Sequence, residues 1–99
     1  MRRTFTIALA LLCAALPAFA QDTASRNLAA PCAICHGTEG RTDSKVVIPL
    51  AGLPREHIAT QMRAFRDGAR PATVMHQIAK GYSDEQIDAL AAWFAAQKR

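Results

Sequence analysis

The 99-residue sequence has no internal repeat, no low-complexity tract and no convincing apolar–polar alternation of the kind a half-buried strand shows. Without strand patterns there is no βαβ alternation, which excludes a thioredoxin-like architecture and leaves an all-α chain. Long apolar runs are missing too. The longest, Ile7 to Leu16, falls short of the roughly 20 residues of a comfortable membrane span. Charge of one sign is scarce: the chain carries +4 formally, and near +2 once Arg2 and Arg3 are removed. That is too mild to argue for nucleic acid or an anionic membrane as partner. Cysteine is limited to Cys13, Cys32 and Cys35.

Residues 1–20 read as a cleaved secretion signal. Arg2 and Arg3 form the basic start, Ile7 to Leu16 the apolar stretch, and Ala18-Phe19-Ala20 an A-x-A cleavage site. Arg2-Arg3-Thr4-Phe5 faintly suggests a twin-arginine signal, but the surrounding residues do not support one. Cleavage after Ala20 leaves residues 21–99 as one small domain of 79 residues, with the bacterial periplasm as its expected location and no membrane anchor expected. Cys13 leaves with the signal. A disulfide between Cys32 and Cys35 would close too small a loop to staple anything.

What remains is the run Cys32-Ala33-Ile34-Cys35-His36. The spacing C-x-x-C-H reads as attachment of one covalent haem c. Two thiols about one helical turn apart can each add to a vinyl group of one porphyrin, and the next residue is carried under the iron as an imidazole ligand. C-x-x-C alone also marks redox disulfides and half zinc sites. Here no further cysteine remains in the mature chain, and His57 and His76 are isolated. A domain this small builds a modest core, so the haem is expected to be much of it.

Helical punctuation follows. Gln21 to Ile34 reads as a first helix, with Asp22 or Thr23 as cap and Pro31 as an irregularity near its end. Gly37 to Gly52 reads as a loop. Pro54 to Asp67 forms a helix with an Ile58, Met62, Phe65 stripe, stopped by Gly68. Thr73 to Lys80 is a short helical or irregular segment ended by Gly81. Ser83 with Gln86 makes a capping box that opens a last helix, whose buried stripe is Ile87, Leu90, Ala91 and Phe94.

These features together resemble a small class I cytochrome c, over essentially the whole of residues 21–99. The stretches Arg66-Asp67-Gly68, Arg70-Pro71-Ala72-Thr73-Val74-Met75, Lys80-Gly81-Tyr82-Ser83-Asp84-Glu85 and Leu90-Ala91-Ala92-Trp93-Phe94 resemble the cytochrome subunit of flavocytochrome c sulfide dehydrogenase more specifically. They are also similar to related bacterial cytochromes that carry two such domains; with one motif, this chain is expected to hold a single haem.

The resemblance implies Cys32 and Cys35 as thioether attachment points, His36 as proximal ligand and Met75 as distal ligand. A thioether also suits a carrier, because it stabilises reduced iron. Met62 is the rival sulfur, better explained as core packing; His57, His76 or no protein ligand stay open. The resemblance further gives the Pro49 carbonyl as acceptor for His36 Nδ1, against a plain turn proline. Trp93 is expected to pack the last helix on the first. Arg55, Arg63, Arg66 and Arg70 form either a solvated face or a docking site for an acidic partner.

The function expected is periplasmic one-electron transfer, not enzymatic catalysis. A redox protein is the expected partner, by resemblance a sulfide-oxidising flavoprotein whose cytochrome subunit this would be. A free shuttle between a respiratory donor and a terminal oxidase is the alternative. From another class comes a haem sensor or catalytic haem protein with an open distal site.

Overall fold

In the computed structural model the described residues are 17–99, with side chains described from Thr23 onward. The secretion-signal reading falls outside them for residues 1–16; residues 17–20 open the first helix, which continues past Gln21. The helices are α1 (Pro17–Ala29), α2 (Ala33–His36), α3 (Arg55–Arg66), α4 (Met75–Ala79) and α5 (Asp84–Ala95), and there is no strand among the described residues.

α5 is central, packing on both α1 and α3, while α4 packs on α3. Its start is built as expected. Ser83 Oγ accepts the Gln86 N–H at 3.2 Å, and Gln86 Oε1 accepts the Ser83 N–H at 3.0 Å. Asp84 and Glu85 occupy the first turn, where the helix dipole favours negative charge. Ile87, Leu90, Ala91 and Phe94 are all buried. Ser83→Ala should therefore cost about 1 kcal/mol and lower the thermal midpoint by about 4–8 °C, measured by far-ultraviolet circular dichroism on the holoprotein. An unchanged midpoint would mean that the box contributes nothing.

α3 starts after Pro54, whose extended ψ of 134° suits the residue before the first helical turn, and buries Ile58, Ala59 and Met62. Gly68, with φ +77°, ends it. Five of the ten buried apolar residues among those described are alanines, so the side-chain core is thin for its span.

The expected first helix is shorter than Gln21 to Ile34 at its far end. Pro31 has no N–H to donate, so α1 gives way to a 3₁₀ turn over Ala30–Cys32 before α2 resumes. Beyond α2 the chain turns at Gly37 (φ +84°), where an added Cβ would lie 1.8 Å from the Arg41 carbonyl oxygen. The loop that follows is pinned at Gly40, whose carbonyl accepts N–H groups from Leu50 at 2.8 Å and Ala51 at 3.2 Å.

The arginine cluster is divided. Arg63 reaches Asp84 at 3.2 Å and Asp88 at 2.7 Å, while Arg66 reaches Asp84 at 2.8 Å and Asp67 at 3.3 Å. These pairs tie α3 to the start of α5, so Arg63 and Arg66 do not offer the unpaired positive face that an acidic partner would need. Arg66 first, then Arg63, holds the Asp84 carboxyl below the usual Asp range. The sign follows: this contribution is complete above the ordinary Asp pKa and is lost only as pH falls through the lowered value.

Candidate functional site

Pro31 does more than end α1. By converting the backbone to a 3₁₀ turn it re-aims the next residues, so Cys32 caps α2 and Cys35 follows one turn later. Cys32 is half-buried against the core and Cys35 is exposed; both are free thiols. Burial pushes the Cys32 thiol up, with Cys35 adding to the shift against a lowering backbone hydrogen bond, so it is held as S–H at neutral pH.

His36 closes α2, with Nδ1 2.7 Å from the Ile48 carbonyl oxygen. A carbonyl only accepts, so Nδ1 carries the proton, and Nε2 keeps the lone pair that ligates a metal. The expected Pro49 acceptor is thus corrected to Ile48. The N–H groups of Leu50 and Ala51 both go to the Gly40 carbonyl, which fixes the chain just beyond Ile48, and on that path it is the Ile48 carbonyl that meets the ring. Pro49 instead lines a cleft of about 440 Å³ with Arg41, Thr42 and Asp43, which contains none of Cys32, Cys35, His36 and Met75.

Met75 is the first residue of α4 and half-buried against the core. Met62 is 7 % exposed within the α3 stripe, among the core residues. His57 is exposed on α3, and His76 half-buried beside Met75.

The large exposed apolar side chains lie close in sequence to the candidate ligands. Ile34, 88 % exposed, sits between the two cysteines, and Val46, 92 % exposed, sits with Ile48 on the loop that receives His36. Val74 and Ile78 flank Met75. Uncovered apolar groups next in sequence to each of the candidate ligands are what a large flat apolar cofactor would cover. The donors fit haem as well: two thiols, an imidazole with its Nδ1 fixed, and a thioether. Among the described residues no three His, Cys, Asp or Glu side chains converge on one point.

Two participants carried no sequence signal. The Ile48 acceptor is a backbone atom, which every residue has. The Tyr82 hydroxyl donates to the Leu28 carbonyl at 3.3 Å, satisfying a carbonyl in the last turn of α1 across 54 residues. Burial raises the Tyr82 pKa, with a further rise from the Cys32 thiol, and both residues pack against the same core. Trp93 packs against the core and meets Phe94 edge-on at 5.1 Å, in keeping with a packing role.

No family model matches the chain. Among curated proteins it is 42 % identical over 83 residues to the cytochrome subunit of sulfide dehydrogenase of Chlorobaculum tepidum, covering 82 % of this chain and 74 % of that protein. It is 41 % identical over 100 residues to the thiosulfate dehydrogenase electron acceptor of Thiomonas intermedia, spanning 99 % of this chain but 45 % of that protein. Cytochrome c-554(548) of Halomonas halodenitrificans is 34 % identical over 70 residues, covering 68 % of this chain and 84 % of its own length.

Proposed function

Since the chain belongs to the class I cytochromes c, we propose that it is a single-haem periplasmic electron carrier that takes electrons from a sulfide-oxidising flavoprotein. Bound haem supplies a one-electron iron couple. Everything else falls to the chain. Cys32 and Cys35 hold the cofactor by thioethers, each S–H adding across a vinyl group. His36 Nε2 is the proximal donor, its ring oriented by the Ile48 carbonyl. Met75 is the distal donor and favours the reduced state. Ile34, Val46, Ile48, Val74 and Ile78 pack against the cofactor and exclude water. Residues 1–20 direct export and are removed, leaving 21–99 as the working domain.

The observation that carries this reading is the His36–Ile48 hydrogen bond, set among exposed apolar side chains. It prepares one imidazole nitrogen for iron in a chain with two adjacent free thiols. With His36 and Met75 both given to the cofactor, no position on it would be left for a substrate, and the role would be transfer.

A second reading rests on the Thiomonas relative, which matches nearly all of this chain: the donor is a thiosulfate dehydrogenase. Stopped-flow mixing of the oxidised holoprotein with each donor and its substrate separates the two. Rapid reduction by the sulfide-oxidising flavoprotein, and co-purification with it, is expected. Reduction only by the thiosulfate enzyme favours the second reading. Reduction by neither, alongside fast turnover with a respiratory complex, favours a free shuttle. Carbon monoxide binding to the reduced parent at neutral pH would contradict a filled distal position and turn the reading to a sensor or catalyst.

A further inference from the structure

Eight residues, Asp67 to Val74, carry the chain from the end of α3 to Met75. Their path is fastened to α3. The chain reverses at Gly68, and the Ala69 and Arg70 N–H groups both point at the Ala64 carbonyl, at 2.9 and 3.2 Å. Arg70 then lies back along the helix. Its guanidinium sits over the Phe65 ring, 4.7 Å from the centroid, and Nη1 donates to Gln61 Oε1 one turn further on. Phe65 and Met75 pack against the same core. Pro71 follows at once and fixes the next backbone angle.

We propose that Arg70 is a positioning residue for Met75: by stacking on Phe65 and bonding Gln61 it holds the Met75 segment against α3, and so holds the sulfur toward the iron. The proposal rests on Met75 being the distal ligand. Only arginine combines a flat face for the ring with a directed N–H for the amide; lysine keeps the cation but not the fork. Arg70 is exposed, so losing it strands no buried charge, and its effect stays with the segment it holds. Arg63 offers the contrast, because its carboxylate partners join α3 to α5 and serve the whole fold.

Imidazole competes for the distal position, so its apparent Kd on the oxidised holoprotein reads the fraction of molecules with Met75 detached. Arg70→Ala should tighten imidazole binding by about three- to tenfold, from the loss of a cation–π contact and a hydrogen bond. Arg70→Lys should fall between parent and alanine variant. Arg63→Gln should lower the urea midpoint while leaving the imidazole Kd within about twofold of the parent. An Arg70→Ala value within about twofold of the parent overturns the proposal, as does an equal shift in Arg63→Gln, which would make the effect general loosening. Met75→Ala separates the two layers. If it tightens imidazole binding strongly and Arg70→Ala does not, only the positioning role falls; if it has no effect, the distal-ligand reading falls and the proposal with it.

Discussion

Met75→Ala should abolish the weak near-infrared sulfur-to-iron band of the oxidised holoprotein, and Met62→Leu should leave it intact. Met62 is core, and a Met-to-Leu exchange conserves volume at a cost under about 1.5 kcal/mol. Met75 is half-buried at the start of a five-residue helix, behind a proline-containing segment and beside exposed Val74. Losing its thioether should lower the reduction potential by on the order of 0.1 V or more, within the roughly 0.8 V over which axial ligands set haem potentials. The reduced variant should then bind carbon monoxide at neutral pH. A band lost with Met62 and kept without Met75 would move the ligand to α3.

Removing both thiols should have the larger consequence. Mass spectrometry of the denatured parent should give polypeptide plus one haem, and Cys32→Ala with Cys35→Ala should give polypeptide alone. That variant should also lose its cooperative thermal transition. Half of the buried apolar residues among those described are alanines, and the large side chains near the candidate ligands are left uncovered. A domain this small, with so thin an interior, lacks the burial to offset its chain entropy without the cofactor. A parent that loses haem to acidic organic solvent would contradict covalent attachment. A double variant that still melts cooperatively would show that the side chains suffice.

The features legible in the sequence are those written in short spacings. Ser83 and Gln86 are three residues apart, the α3 and α5 stripes repeat every three or four, and Gly68 stands where its positive φ is needed. The C-x-x-C-H run is of the same kind. Pro31 announced an irregularity but not its form, because the 3₁₀ turn depends on how the freed backbone finds partners. Longer relations were hidden. Arg63 meets Asp88 across 25 residues and Tyr82 meets Leu28 across 54, and nothing local marks either partner. As a sequence pattern the four arginines suggested one face. The structure gives two of them carboxylates and one an aromatic ring. The acceptor for His36 was misplaced by a single residue because a carbonyl's direction comes from the backbone path, which the Gly40–Leu50 hydrogen bond sets.

That acceptor has an evolutionary corollary. Ile48 contributes a peptide oxygen, so replacing its side chain leaves the imidazole's partner in place, and point changes along the loop are buffered at this one contact. Length is another matter. A residue added or deleted between the Ile48 acceptor and the Leu50 anchor on Gly40 should change which carbonyl can reach the ring. This stretch should therefore keep its count, with Val46 and Ile48 changing only among apolar residues that would still cover the cofactor.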